Sequence, residues 1–327
     1  KRTTVYISDL VWKCAEVRRI WPWHLMAFVF YFALFLVFYG RMSAQFADPD
    51  RFFWHQRILS RQLLLVIGIH AVTMIGLHWK IWKYRWKRFF WEPSSPRTLS
   101  LMRIITAGGI LVHFVFQFPS SYVPLASSPP SARQSLPLIG WLMDVIPISP
   151  TIFIAALALG IIFSLFAMVG LWTRFSLLML IPLTFYLFGV PQFFGKLNHT
   201  QYFVWAPMIL AFTPCADVWS VDALMRKIRG MRLRTKLSFD YALGLRWFTL
   251  TFVGIYFFSG VHKLYDAGLF WALSDNPVNL LRTEWIEQFD QVPFLRVDKF
   301  PWLCNVAAVA VILFELLYPL MIFSRKT

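Results

Sequence analysis

Two short segments of the sequence combine a lysine with hydrogen-bonding side chains and neighbouring aromatic residues. The first contains Lys196, Asn198 and His199, and the second contains His262 and Lys263. A lysine side chain that is kept from water loses its proton more readily, so it can serve as a general base near neutral pH. An Asn-His pair can donate hydrogen bonds to an enolate or phenolate that forms during proton removal. These residues predict a proton-abstraction site, in which one of the two lysines acts as the base and the Asn198-His199 pair stabilises the anion.

Four further residues in these segments are expected to bind a substrate or cofactor. Lys196 and His262 adjoin the catalytic candidates, and Tyr202 and Tyr256 bring aromatic rings to the same region. The structural alternative is that Lys196 and Lys263 extend their ammonium groups from a membrane interface into water.

Glu315 is an isolated acid in the apolar run from Val306 to Phe323. A carboxylate at membrane depth is unfavourable unless it is paired, hydrated or protonated. We expect it to pair with Arg246 or with a lysine at the extracytoplasmic side, and we place Glu315 among the binding residues.

Other polar residues within the apolar segments have structural explanations. Four more ionisable side chains occur there: Arg103, Arg246, His70 and His113. The two arginines lie near helix ends, where a long side chain can reach water, and a lone intramembrane histidine usually forms a hydrogen bond between helices. The three cysteines are scattered, at Cys14, Cys215 and Cys304. Their spacing indicates neither a metal site nor a disulfide framework.

The positioning elements are predicted to be membrane-spanning helices. The chain is 58% hydrophobic and 15% charged, whereas a soluble protein is about 25% charged. About 20 apolar residues are needed to cross a bilayer. Eight segments qualify or nearly qualify: 22–40, 62–79, 100–118, 151–171, 175–190, 202–214, 241–258 and 302–323. We therefore predict an all-α, polytopic transmembrane helical bundle of about eight spans, in which the short fifth and sixth spans are broken, tilted or next to a polar cavity.

Basic residues predict the orientation of these spans, because lysine and arginine accumulate in cytoplasmic loops. They form five groups, at residues 13–19, 80–88, 174, 226–236 and 325–326. All five fall on one side if both termini are cytoplasmic and all eight segments cross. The ends that carry His199 and Lys263 are then extracytoplasmic.

The formal net charge of +16 is explained by these topology signals, so nucleic acid is not an expected partner. The most basic stretch, residues 226–236, is interleaved with Leu, Ile and Met and flanked by apolar segments. This pattern predicts an amphipathic segment that lies on anionic membrane lipid.

Several of the same residues resemble one known family. The Asn198-His199 pair, the run AFTPCADVWSVDAL at 211–224 and the run SGVHKL at 259–264 are similar to the horizontally transferred transmembrane (HTTM) family. That family includes the membrane core of the vitamin K-dependent gamma-carboxylase. The resemblance begins near Pro96 to Ile104 and extends to about residue 323. It predicts a core at 95–327, with residues 1–94 forming an N-terminal cytoplasmic segment and two added spans.

The resemblance also implies residue roles and a cofactor. Lys263 matches the lysine that deprotonates reduced vitamin K, and His199 matches a histidine near the carbanion, so a reduced, vitamin K-like hydroquinone is implied. Two features differ. The carboxylase has a second lysine in place of His262, and it carries a large lumenal domain that binds the substrate propeptide. Carboxylation of protein glutamate therefore does not follow from the resemblance alone.

Three classes of function were compared. The first is an integral enzyme of the bacterial inner (plasma) membrane, acting through Lys263 on a quinol-type or peptide substrate. The second is a non-catalytic or divergent maturation factor for a secreted peptide, such as a toxin peptide, that works with a partner subunit. A transporter is disfavoured because the spans show no inverted repeat and no chain of acids through the membrane.

Overall fold

A computed structural model describes residues 26–27, 29–41, 49–133, 147–194, 201–232, 234–287 and 294–319. Within these ranges the chain is helical apart from turns and one isolated β-bridge, between Ser94 and Ser238. The principal helices are α1 (Val29–Arg41), α2 (Pro49–Leu77), α3 (Trp79–Trp91), α4 (Pro96–Val112), α5 (Pro150–Val169), α6 (Thr173–Gly189), α7 (Gln201–Ala211), α8 (Val221–Ile228), α9 (Phe239–His262), α10 (Asn276–Glu287) and α11 (Pro301–Leu317).

Shorter helical segments extend or connect these helices. The π-helix His113–Gln117 and the turn Phe118–Ser121 continue α4, and the π-helix Lys263–Ala267 continues α9. The remaining short segments are Val123–Ala126, Pro130–Ala132, Val190–Phe194, Phe270–Leu273 and Val297–Lys299.

The helices match the apolar segments of the sequence. Within the described residues, five stretches are long and apolar enough to cross a membrane: Asp50–Leu77, Pro96–Ser121, Pro150–Val169, Thr173–Phe194 and Phe239–Ala267. Helices α1, α7 and α11 are apolar but shorter. The prediction of an all-α, polytopic helical protein is confirmed. Eight crossings and two cytoplasmic termini stay predictions.

Helix α2 begins earlier than the sequence indicated. We expected a loop up to residue 61, but the helix begins at Pro49 and includes Asp50 in its first turn. Proline at a first helical position and an acid in the first turn both favour a helix N-terminus. The polar side chains of Gln56 and Ser60 are completely buried. Tertiary hydrogen bonds, described below, therefore allow this polar stretch to be helical.

The contacts divide the chain into two compact units. One unit comprises Phe89–Ile255 and the other comprises Lys1–Arg88 together with Tyr256–Thr327. The first unit is centred on α4, α5, α6 and α7. Its interior contains the buried rings of Phe114, Phe118 and Phe188, which contact one another edge to face or at a tilt. Such aromatic pairs add specific contact energy to the burial of apolar surface.

Arg103 connects three segments of the Phe89–Ile255 unit. Its side chain is fully buried and donates hydrogen bonds to the carbonyl groups of Ala167, Met168 and Trp219. Gly170 ends α5 with a φ of +76°, and a Cβ at this glycine would meet the Arg103 guanidinium. We expected the Arg103 side chain to reach water, but it is buried inside the protein. Carbonyl groups at the end of α5 supply acceptors inside the protein instead.

The segment from the last residue of α7 to the first turn of α8, here called the 211–222 turn, contains two acids that are both satisfied. Asp222 accepts hydrogen bonds from the backbone N–H and the hydroxyl of Thr173, at 2.8 and 2.7 Å, and so caps the N-terminus of α6. Asp217 forms an ion pair with Arg226 at 2.9 Å and accepts a hydrogen bond from the hydroxyl of Tyr241 at 2.7 Å. The turn is therefore held to α6, α8 and α9.

The second unit packs α1 and α2 with the segments that follow residue 255. Its core includes Phe32, Phe35, Leu63, Leu264 and Ile312, all buried. Because Leu264 directly follows Lys263, the core of this unit fixes the backbone on which the candidate base is carried.

Candidate functional site

The candidate site lies where the end of α9 packs against α11. Tyr256, Ser259 and Lys263 are spaced by three and four residues, so they share one face of α9 and of the π-helix that continues it. Gly260 lies on the side that α11 approaches, and a Cβ at this position would be 2.9 Å from the Cβ of Glu315. The absence of a side chain at Gly260 allows the two helices to come close enough for direct polar contact.

Lys263 and Glu315 form an ion pair at the centre of this interface. The distance from Lys263 Nζ to Glu315 Oε1 is 2.6 Å, and the two side chains are only 15% and 6% exposed. The hydroxyl of Ser259 also donates to Oε1, at 3.4 Å. The Lys263 ammonium lies 4.4 Å from the centre of the Trp271 ring, a distance typical of a cation–π contact. Of the two partners predicted for Glu315, a lysine is the one found.

The second carboxylate oxygen of Glu315 differs from the first. Oε2 is buried and has no hydrogen-bond partner among the residues that the structure describes. Leaving a buried polar atom unsatisfied usually costs about 1–3 kcal/mol. A buried acceptor next to a buried amine is an arrangement that can bind and move a proton.

The backbone changes its helical form at Lys263. Residues Lys263–Ala267 form a π-helix, and short π-helical insertions occur frequently at functional sites. The π-helix ends at Gly268, whose φ is +63°. A Cβ at Gly268 would lie 2.0 Å from Gln56 Oε1, so this position is both left-handed and closely packed.

Helix α2 supports the end of this π-helix. The side-chain amide of Gln56 donates a hydrogen bond to the carbonyl of Ala267 at 2.6 Å. The side-chain Oε1 atom of Gln56 accepts a hydrogen bond from Phe270 N–H at 3.4 Å. Ser60 accepts from Leu269 N–H at 3.3 Å. These bonds satisfy backbone groups that the irregular turn leaves without helical partners. Gln56 and Ser60 therefore belong to the support of the site.

His262 lies beside the buried pair on a more exposed surface. Its Nδ1 is 2.7 Å from Asp266 Oδ2, with 75% of the histidine side chain and 47% of the aspartate exposed. Tyr265 is also exposed, and the guanidinium of Arg61 lies 4.1 Å from the centre of its ring. His262, Tyr265 and Asp266 are thus more exposed than the Lys263 side chain.

Aromatic rings flank the Glu315 side of the interface. Tyr256 contacts Phe314 and Tyr318, with ring-centre distances of 5.9 and 4.8 Å. Since Phe314 directly precedes Glu315 on α11, this aromatic group lies next to the carboxylate in the chain. The role of Tyr256 in binding a substrate or cofactor stays a prediction.

The remaining predicted site residues are distributed differently. Lys196, Asn198 and His199 lie outside the described residues, so their proximity to Lys263 stays a prediction. Tyr202 belongs to the Phe89–Ile255 unit, where its ring stacks on Phe252 at 5.2 Å.

The other ionisable residues of the apolar segments pack against aromatic rings. His113 contacts the ring of Phe203, and His70 contacts Tyr31. The guanidinium of Arg246 lies 4.9 Å from the centre of the Phe89 ring. Each of these contacts is explained by packing within its own unit.

Sequence reasoning missed the supporting residues Gln56, Ser60 and Trp271. Gln56 and Ser60 are four residues apart, the spacing of one helix face, but the expected loop concealed that signal. Among the described residues, no group of three His, Cys, Asp or Glu side chains is arranged to hold a metal ion, and Cys215 and Cys304 are buried free thiols.

Most of the chain matches a known protein family. The HTTM domain matches residues 91–327. The chain belongs to the HTTM domain family. Together with its apolar helices, this membership makes it an integral membrane protein. No curated protein sequence and no solved structure matches the chain.

The matched HTTM region contains both partners of the Lys263–Glu315 pair, whereas Gln56 and Ser60 precede it. In the structure, however, residues up to Arg88 and residues from Tyr256 form one compact unit. Side chains that precede the matched HTTM region therefore support the backbone next to a pair that lies within that region.

Proposed function

We propose that this HTTM protein is a membrane enzyme in which Lys263 removes a proton from a lipid-soluble, quinol-type substrate. The observation that carries the proposal is the buried Lys263–Glu315 pair, whose Oε2 atom has no hydrogen-bond partner among the described residues. Buried ionisable groups within membrane proteins are costly, and they often mark functional sites.

Glu315 supplies a place for the lysine proton. In the first step, the proton on Lys263 Nζ moves to Glu315, which leaves a neutral amine and a neutral acid. In the second step, the amine accepts the proton of the substrate hydroxyl and becomes an ammonium, while the substrate becomes an oxyanion. The pair acts as a unit because an unpaired charge in a dry site is unfavourable.

The chemistry of a quinol fits this base. A phenolic hydroxyl has a pKa near that of a lysine, about 10 in water for both groups, so proton transfer between them is close to balanced. The indole of Trp271 and the rings beside Glu315 favour a flat aromatic substrate over a flexible polar one. Asn198 and His199 are proposed to donate hydrogen bonds to the oxyanion. A reduced, vitamin K-like quinone is the substrate class that these requirements describe.

A second candidate function is maturation of a secreted peptide without catalysis by this chain. It is favoured by the exposed apolar residues Leu295, Phe300 and Trp302, which are 68%, 51% and 66% exposed. They flank Asp298 in the sequence, and the Asp298 carboxylate is held by Arg296 at 2.7 Å. Exposed apolar residues on an ordered connection can bind an extended peptide.

The test uses the purified protein in detergent with 1,4-naphthohydroquinone, under anaerobic conditions. Binding with proton removal should produce the red-shifted absorbance of the naphtholate. Lys263→Arg keeps the positive charge but cannot act as a base, because arginine stays protonated. We expect this variant to retain binding and to lose the naphtholate signal. Lys299→Arg, at an exposed lysine, is the matched control.

An unchanged signal in Lys263→Arg at equal thermal stability would show that Lys263 is not the base. Absence of both binding and naphtholate in the unaltered protein, together with capture of a defined secreted peptide, would favour the maturation function instead.

A further inference from the structure

A cavity of about 560 Å³ lies in the Phe89–Ile255 unit. It is formed by the first turn of α6, the 211–222 turn and α8. Its lining includes Thr173, Arg174, Leu210, Asp217, Met225 and Arg229. The volume is within the range of about 300–1,000 Å³ that is typical of small-molecule sites. Neither Lys263 nor Glu315 lines this cavity.

The acids of the cavity are already neutralised by the protein. Asp217 is held by Arg226 and by the hydroxyl of Tyr241. Asp222 accepts two hydrogen bonds from Thr173 and a third from the backbone N–H of Trp172 at 2.9 Å. Neither carboxylate is therefore free to attract a cation.

Three arginines line the cavity, and within the described residues only one of them, Arg226, has its guanidinium group bound to protein acceptors. Arg226 donates to Asp217 and to the carbonyl groups of Ala216 and Asp222. Arg174 and Arg229 also line the cavity, and both are exposed. Within the described part of the chain, their guanidinium groups make no ion pair. Two guanidinium groups thus remain available, and this group binds phosphate through paired hydrogen bonds.

The surroundings of the cavity are apolar. Leu171, Leu177 and Leu210 form part of its wall. Beside it, Trp172 and Ile228 are 66% and 72% exposed. A site that combines available arginines with exposed apolar side chains matches a molecule that has an anionic head and an apolar tail. The basic residues of this end also predict that it faces the cytoplasmic leaflet, which carries anionic lipid.

We propose that this cavity binds the phosphodiester headgroup of an anionic phospholipid. Arg174 and Arg229 hold the phosphate, and the acyl chains lie along Trp172 and α8. Arg226 does not bind the ligand, because its donors hold the 211–222 turn in place. The inference concerns a different site from Lys263 and does not depend on the proposed enzymatic function.

Native mass spectrometry of the intact protein can measure this binding in detergent. The probes are phosphatidylglycerol, zwitterionic phosphatidylcholine and inorganic phosphate as a competitor. The test variant is Arg174→Gln/Arg229→Gln. The matched control is Arg232→Gln/Arg234→Gln, which removes the same charge from exposed arginines that do not line the cavity.

We expect the dissociation constant for phosphatidylglycerol to rise about 10- to 30-fold in the test variant and less than about 3-fold in the control. Equal weakening in both variants would overturn the proposal, since it would indicate diffuse attraction to the basic surface. Displacement by millimolar phosphate, with no preference between the two lipids, would assign the site to free phosphate and overturn the lipid headgroup.

Photocrosslinking of the unaltered protein gives a second measurement that needs no variant. A diazirine-bearing phosphatidylglycerol should attach mainly to peptides that contain residues 171–177 and 210–229. A uniform distribution of crosslinks over the apolar helices would contradict the site.

Discussion

Replacing Glu315 by glutamine tests the ion pair with little change in side-chain size. In the natural chain, Lys263 Nζ lies 2.6 Å from Glu315 Oε1 and the two side chains are 15% and 6% exposed. The substitution removes the negative charge but keeps an oxygen that can accept from Ser259. It therefore leaves the Lys263 ammonium inside the protein without its carboxylate.

The expected cost can be worked from these surroundings. Removing one partner of a buried ion pair destabilises a protein by about 3–5 kcal/mol. The contact between Lys263 and the Trp271 ring, at 4.4 Å, is present in both proteins and leaves this difference unchanged. We expect a loss of about 3–5 kcal/mol for Glu315→Gln, which corresponds to a fall in Tm of roughly 5–10 °C.

The assay is thermal unfolding in a single detergent at one scan rate, followed by tryptophan fluorescence. Lys263→Met should cause a similar loss, because it leaves the carboxylate unpaired. The double variant Lys263→Met/Glu315→Gln should recover most of the stability, since neither charge remains. Asp266→Asn provides a control at the exposed pair with His262, where we expect less than about 1 kcal/mol.

Additivity of the two single substitutions would refute the reasoning. If the double variant loses the sum of both effects, within about 0.5 kcal/mol, the two side chains do not interact. A change below about 2 °C for Glu315→Gln would also show that the Lys263 ammonium remains hydrated without its partner.

Three further measurements test the packing and electrostatics of the chain. Gly260→Ala should destabilise by about 1–3 kcal/mol, because a Cβ would lie 2.9 Å from a side chain of α11, whereas Gly254→Ala meets no atom within 4 Å and should not. The hydrogen bond from Arg296 lowers the pKa of Asp298 to about 2, so its contribution to stability should be complete above about pH 4 and lost as the pH falls through 2. Asp298→Asn should remove this contribution at pH 7 and flatten the dependence of Tm on pH. Burial raises the pKa of the Cys215 thiol to about 11, so maleimide should label it at pH 7.5 only after unfolding; labelling at the rate of an exposed cysteine would contradict its burial.

The fold class could be predicted from the sequence because the constraint is local and strong. A polar backbone in lipid must satisfy its hydrogen bonds within a helix, so each long apolar run predicts one. The helix from Pro49 to Arg61 was not predicted, because it precedes the apolar segment at 62–79. The helix there depends on Gln56 and Ser60, whose partners are more than 200 residues away in the chain.

The candidate site was predictable only in part, for the same reason. Lys263 and Glu315 could be recognised singly, because a charged side chain in an apolar segment is unusual wherever it occurs. Their pairing could not be chosen over Arg246, since it depends on which helix faces meet and on the close approach at Gly260.

By itself, the sequence determined that the chain is an apolar, all-helical protein of the HTTM family and that Lys263 and Glu315 are exceptional within it. Only the tertiary structure decided that these two residues are partners, because their separation of 52 positions is bridged by packing rather than by local periodicity. The same holds for the π-helix at Lys263, which is stabilised by hydrogen bonds from α2 to the backbone that follows it. Local sequence patterns show which side chains and backbone groups of a helix need partners, whereas the partners themselves are residues distant in the chain.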